Sequence, residues 1–463
     1  MERHPGRPRR LLVITYHFPP DGSVGGLRWG GLSRHLARRG WEVQVITAAT
    51  QSADAPVPGV QVHVSAVSRT LNDAYNQWAS RVRTRGARPS PSAEPAAVIA
   101  ETPDAPPRHG FVNGVRRNLA TALAFPDYGR GWILPAARTA RALLRAQTFD
   151  AVITSGPPHS AHLVGLLACA GRRELHWVDM RDPWSSMIGK KWAQSAFRSE
   201  WVRYLIPRLE RLVFRRAARV VTNTAEYADE LRDTFPAMRV SFIPNGIDRD
   251  RLPPPPADRF GGLSIAHAGS LYAGRDLTPV LRAMQAFLVA SPEARNALML
   301  RLAGNMDAVH GAHFRREVAA AGLESCVEVL GRVASADALN LINRSHLALV
   351  LAQDQPMQVP AKLYECVAMG VPTLVIAESD SAAAREARRI GGMACDAADV
   401  AGIRDVLSRL WRDRTPAPVV GAPIGYDDIA AQMDALLSGA PSASDGDRRF
   451  TSSPSRIREH INR

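Results

Sequence analysis

The sequence is poor in cysteine and lysine, and it has no long uncharged apolar run. Cys169, Cys326, Cys366 and Cys395 are scattered in apolar settings and form no CxxC or Cys/His pattern. That argues against a disulfide framework and a cysteine-based metal site, and for reduced, buried thiols in a cytoplasmic protein. No stretch reaches the roughly 18 apolar residues a membrane-spanning helix requires. Residues 11–14 are too short for an export-signal core and turn polar at once, so a first buried strand is expected there. Zinc-finger and RNA-recognition signatures are missing, as is any basic–aromatic interleaving. Nucleic acid is therefore not an expected partner.

The 463 residues suit two domains, and 46% hydrophobic content suffices for large cores. Lysine and arginine total 58 against 44 acids, a formal charge of +14, nearly all of the excess being arginine. Arginine forks suit phosphorylated small molecules and anionic lipid heads. The same excess also fits a solvated arginine-rich surface.

One stretch organises the rest: VPAKLYECVAMGVPT at 359–373. Pro360 suits a helix start, Gly370 a left-handed cap, and Pro372 bars continuation. Lys362 and Glu365, three apart, share a face near the helix N-terminus. A carboxylate there can accept both hydroxyls of a ribose, while the lysine and first-turn amides can face a phosphate. An ordinary i,i+3 ion pair accounts for the same residues.

Strands alternate with helices along both halves, so the fold class is α/β with two Rossmann-like domains. The first is expected over 1–239, with a disordered insertion at about 86–109. The second spans 240–424, a helix at 425–437 crosses back, and 438–463 is a disordered tail. Pro253–Pro256 marks a hinge. In the first half, a strand at 11–16 leads through HFPPDGSVGG to a helix from Leu27. Gly25 and Gly26 at its entrance would let backbone amides approach an anion, or serve only a tight turn with no ligand. Helical structure is expected over 73–85. His159 lies in the loop GPPHSAH, at a strand's C-terminal end, where open α/β sheets bind ligands. Position alone leaves it a surface-loop histidine or a donor to a sugar hydroxyl or phosphate. Arg181 and Asp182 are expected to lock their loop as an ion pair. In the second half, Arg275 follows a strand within AGSLYAGRD and is placed to fork a diphosphate, or else is an exposed loop arginine paired with Asp276.

Together these motifs resemble GT-B glycosyltransferases of family four, retaining enzymes that use nucleotide sugars. The resemblance rests on YHFPPDGSVGG, SGPPHSAH with DMRDPW, VSFIPNGID, AGSLYAGRDL and, above all, VPAKLYECVAMGVPT. It implies transfer of a sugar to an acceptor hydroxyl, in glycan, polysaccharide or glycolipid synthesis. Glu365 would hold the donor ribose. Arg275 would meet the diphosphate with Gly25, Gly26 and Lys362. Arg332 and Val333 would contact the base, and His159 would lie near the donor sugar. No metal or other cofactor is implied. The partners would be a nucleotide-sugar donor, a glycan or lipid-linked acceptor and an anionic membrane surface, with the chain cytoplasmic or peripheral on the inner face. Two features depart from the family. Met357 stands where a paired-glutamate motif has its first glutamate, and no lysine follows Arg275. A GT-B nucleotide-sugar epimerase and a noncatalytic nucleotide-sugar-binding protein share the fold and remain alternatives.

Overall fold

The computed structural model of the chain describes residues 7–21, 24–48, 57–70, 73, 125–187, 200–271, 274–306, 308–413 and 423–439. The helix expected at 73–85 (apart from Asp73), the insertion at 86–109 and the tail beyond 439 lie outside these residues.

The first half runs β1 (Arg9–Thr15), α1 (Val24–Arg38), β2 (Trp41–Ala48), β3 (Val60–Ser65), α2 (Ile133–Ala146), β4 (Ala151–Gly156), α3 (Ser160–Ala168), β5 (His176–Met180), α4 (Glu200–Arg215), β6 (Arg219–Thr222), α5 (Ala225–Thr234) and β7 (Val240–Phe242). Its strands form one parallel sheet in the order β3-β2-β1-β4-β5-β6-β7. Helices cover both faces, so central strands need apolar side chains on either side. Leu11, Leu12, Val13 and Ile14 meet that need and are fully buried.

The second half runs β8 (Leu263–Ala268), α6 (Thr278–Ala290), β9 (Leu298–Ala303), α7 (Ala308–Ala320), β10 (Val327–Gly331), α8 (Ser335–Asn343), β11 (Leu347–Leu351), α9 (Ala361–Ala368), β12 (Thr373–Ile376), α10 (Ala382–Arg389), β13 (Met393–Cys395) and α11 (Val400–Asp413). These strands form a second parallel sheet, β10-β9-β8-β11-β12-β13. The last helix among the described residues, α12 (Tyr426–Leu437), leaves this half. It packs Tyr426, Ile429, Met433 and Leu437 into the cluster formed by Leu11 and Val13 of β1 and Trp29 and Leu32 of α1.

Three local expectations change. Val240–Phe242 hydrogen-bonds to β6, so the first sheet continues past residue 239. Helix α1 begins at Val24 rather than Leu27, which puts Gly25 and Gly26 inside its first turn. The segment expected as the loop GPPHSAH becomes helical at Ser160; α3 is largely buried and has no amphipathic period to mark it in the sequence.

Candidate active site

Strand order reverses between β1 and β4 in one sheet and between β8 and β11 in the other. Loops leaving the C-terminal ends of such strands diverge and open a crevice, the usual ligand site of this architecture. The expected site residues leave these strand ends, apart from Arg332 and Val333, which follow the edge strand β10.

In the second sheet, the loop after β8 holds Arg275, half-buried, its Nη1 directed to the Ser270 carbonyl at 3.5 Å. Asp276 does not pair with Arg275; its Oδ1 accepts from the Thr278 amide at 2.8 Å and starts α6. Gln353, just past β11, ties the two loops together. Its Nε2 donates to the Asp276 carbonyl at 2.6 Å. Gly304 ends β9 at φ 149, and a Cβ on it would lie 2.1 Å from the Gly269 carbonyl oxygen. Only glycine permits that approach, which holds the β9 end against the Gly269 loop.

Helix α9 starts after Pro360 and ends before Gly370, at φ 69. Lys362 Nζ donates to Glu365 Oε2 at 2.7 Å, so the expected pair forms, largely buried on the carboxylate side. At Gly331, the end of β10, the backbone carbonyl accepts from the Gly304 amide at 2.7 Å. Beyond it Arg332 is exposed, while Val333 packs against the cluster that contains Leu363 and Tyr364.

His267 carries no sequence signal beyond its place near a strand end. It is buried, its Nδ1 meets the Leu349 carbonyl at 3.0 Å, and its Nε2 would lie 3.2 Å from a Cβ on Gly269. Burial holds its pKa down at about 4, so the ring is neutral at pH 7.

In the first sheet, Arg181 closes the edge. It does not pair with Asp182, contrary to expectation. Its guanidinium donates to three carbonyls: Gly156 at 2.9 Å, Gly25 at 2.6 Å and Pro157 at 2.8 Å. The fork thus ties α1 to the loop after β4. A Cβ on Gly26 would meet the Phe18 backbone at 3.1 Å, so close packing of α1 on the preceding loop already accounts for glycine there. His159 stacks on Trp184 with ring centroids 4.8 Å apart. Burial, then the Arg181 charge, lowers its pKa to about 3, and it too is neutral.

Sequence reading missed a linear chain of three side chains beside Gly25. Asp21 Oδ2 lies 2.6 Å from His17 Nδ1, and His17 Nε2 lies 3.0 Å from the Tyr128 hydroxyl. His17 and Tyr128 are 111 residues apart, so no local pattern could join them. Tyr16 and Trp132 extend this cluster, with Tyr16–Tyr128 and Tyr16–Trp132 centroids both 5.5 Å apart. Tyr128 stays 44% exposed.

The two halves meet along these edges. Gln358 Nε2 donates to Asp182 Oδ1 at 2.7 Å, Thr224 Oγ1 to the Met357 carbonyl at 2.6 Å, and Arg385 pairs with Glu226 at 2.8 Å. Met357, the departure from the paired-glutamate motif, packs its side chain against the cluster of Met180, Trp184 and Val202 in the first half. A glutamate there would bring a charge against that apolar wall.

Two Rossmann-like sheets meeting along these loops define the GT-B class of glycosyltransferase fold. The chain matches the glycosyl transferase 4-like domain over residues 25–246 and the glycosyl transferases group 1 domain over 265–413, and it belongs to that family of glycosyltransferases. Among curated proteins, it is 43% identical over 70 residues to D-inositol 3-phosphate glycosyltransferase of Rhodococcus erythropolis. It is 46% identical over 66 residues to the protein of the same name from Mycolicibacterium smegmatis. These matches span 13% and 12% of this chain and 16% and 15% of those proteins. Sucrose-phosphate synthase of Thermosynechococcus elongatus superposes with a TM-score of 0.59 at 14% identity, over 93% of this chain and 98% of that one. Anabaena HepE in complex with UDP and glucose gives 0.58 at 13% identity, over 93% and 100%. At these identities the structural likeness establishes the fold.

Proposed function

We propose that the chain transfers a sugar from a nucleoside diphosphate to an acceptor hydroxyl with retention of configuration. The observation that carries this reading is the convergence on one sheet edge of the Arg275 loop and the Lys362–Glu365 pair, joined through Gln353. Glu365 accepts the ribose hydroxyls. Arg275 and Lys362 face the diphosphate, and the backbone at Arg332 and Val333 borders the base. Negative charge grows on the diphosphate as its bond to the anomeric carbon breaks, and preorganised cations stabilise that charge. The acceptor oxygen bonds the same carbon on the same face, and its proton passes to the departing phosphate. This charge stabilisation is assigned to side chains and helix-end amides, without a metal. His159, neutral and stacked, offers a hydrogen bond to the donor sugar. Gly25 and Gly26 contribute first-turn amides on the opposite wall.

The experiment is a thermal-shift screen of nucleotide sugars, beginning with the UDP-glucose type suggested by the HepE complex. A ligand binding the folded state raises the melting temperature by mass action. Arg275→Ala is expected to lower kcat by about 10²–10³, the loss seen when one preorganised donor is removed from a developing anion. Glu365→Ala is expected to weaken nucleotide affinity instead. Unchanged affinity in Glu365→Ala would remove the donor-site assignment.

The acceptor is assigned to the first half, as a glycan or lipid-linked alcohol. The chain would then work on the cytoplasmic side, peripheral to an anionic membrane, and no described helix is long and apolar enough to cross one. With Asp21 accepting from His17 Nδ1–H, His17 Nε2 accepts from Tyr128. The tyrosine oxygen is then left to accept from an acceptor hydroxyl. Tyr128→Phe is expected to raise the acceptor KM about fivefold to tenfold with the donor KM unchanged, the effect of losing one neutral hydrogen bond. Steady-state kinetics with each substrate varied in turn checks this.

A further inference from the structure

Among the described residues, no element packs on one face of helix α4. Its inner side packs Val202, Ile206, Val213 and Phe214 beneath β5 and β6. Its outer side exposes Tyr204 at 58%, Leu205 at 38% and Leu212 at 43%. Arg208, Arg211 and Arg215 stand exposed among them. At 3.6 residues per turn, these positions fall within roughly a third of the helix circumference. The face carries no acid. Glu210 lies on the buried side, bonded to Ser185, and Glu200 is confined to the helix's first position. A solvated face ordinarily mixes both signs of charge. Arginine of one sign interleaved with large apolar groups is the composition of a helix that lies in a lipid interface.

The helix also overhangs the strand ends. Ser185 lies past the end of β5, yet it bonds Glu210, in the middle of α4. Residues 200–209 therefore extend about 15 Å beyond that contact, at 1.5 Å per residue. They do so on the side of the strand C-termini, where Asp182 meets Gln358.

We propose that this face of α4 docks the chain on an anionic lipid bilayer and holds the acceptor half of the crevice at the headgroups. This rests on the lipid-linked acceptor reading above. The guanidinium forks pair with lipid phosphates. Tyr204 lies at headgroup level, and Leu205 and Leu212 reach the acyl boundary.

The test is cosedimentation of the full chain with phosphatidylcholine vesicles, with and without phosphatidylglycerol. Binding is expected only with phosphatidylglycerol, and it should weaken as salt rises. The variant Arg208→Gln/Arg211→Gln/Arg215→Gln should bind about a hundredfold more weakly, at roughly 1 kcal/mol per arginine. Tyr204→Ser/Leu212→Ser should also weaken binding, with the charge intact. All these positions are exposed, so melting temperature and nucleotide-induced thermal shift should stay at wild-type values. Should the triple variant not fold, Arg208→Gln alone should still lose about fivefold. Vesicle binding that survives the arginine substitutions overturns the assignment to α4 and leaves the membrane reading standing. Absence of binding by the wild-type chain overturns both, while a retained nucleotide response leaves the transferase reading intact.

Discussion

Acidification from about pH 7 to pH 5 is expected to remove much of the chain's stability. His162, His176 and His267 are almost fully buried. Burial is the first cause of a lowered pKa in each, to about 4 for His176 and His267. His162 and His176 share Thr154 Oγ1, each ring nitrogen 3.0 Å from it. In the unfolded chain these rings take up protons near pH 6.5. Below that value the unfolded state binds more protons than the folded one, so stability falls as pH falls, until the folded values are reached. Each histidine contributes about 1.4 kcal/mol of loss per pH unit in that window. Glu210 acts in the opposite direction. Burial raises its pKa to about 7, so its protonation on acidification favours the folded state and offsets about one histidine. Burial raises the Asp127 pKa as well, which acts in the same direction as Glu210. His159, lowered to about 3, adds a fourth histidine, so the net expectation is a loss of about 3–4 kcal/mol between pH 6 and pH 5. Melting curves across this range check it. A melting temperature that stays level from pH 7 to pH 5 contradicts it, and His176→Gln should flatten the slope.

Asp179→Ala is expected to destabilise the first half by about 3–5 kcal/mol, the usual effect of removing one member of a buried ion pair. Asp179 is fully buried, and its Oδ2 accepts from Trp29 Nε1 at 2.8 Å and Ser155 Oγ at 2.7 Å. Its Oδ1 lies 3.3 Å from the buried Arg28 guanidinium. Arg28 in turn donates to the Ile243 and Pro244 carbonyls at 2.9 and 2.7 Å. One carboxylate thus joins β4, β5 and α1 to the chain leaving β7. Alanine would leave a guanidinium without its counter-charge and two donors without acceptors in a dry interior. Urea denaturation measures the loss. Asp179→Asn, which keeps an acceptor, should cost less. A loss below about 1 kcal/mol would mean that the carbonyls alone hold Arg28.

The fold was legible wherever apolar runs end at glycine or proline. Gly40 before β2, Gly304 after β9 and the Pro360–Gly370 bracket around α9 each mark a boundary that the chain obeys. Edge strand β3 gave a weaker signal, because Val62 and Val64 face outward and its alternation follows no long apolar run. Helix α3 hid behind two prolines and lacks a polar face. For the site, Lys362 and Glu365 were visible because three residues along a helix fix a shared face. The Asp21–His17–Tyr128 chain and the Arg181 fork were invisible, since each is assembled by strand order from segments distant in sequence. Met357 could be seen as a departure. Its use as an apolar contact between the halves needed the structure.

Helix α12 has a consequence for synthesis. The cluster around Leu11, Val13, Trp29 and Leu32 is completed by Ile429, Met433 and Leu437, made at the other end of the chain. During translation the amino-terminal half emerges first, as domains usually do. It must then wait, with a greasy flank uncovered, until the last turns leave the ribosome. A nascent chain stalled before residue 426 should therefore engage chaperones that the finished chain no longer needs.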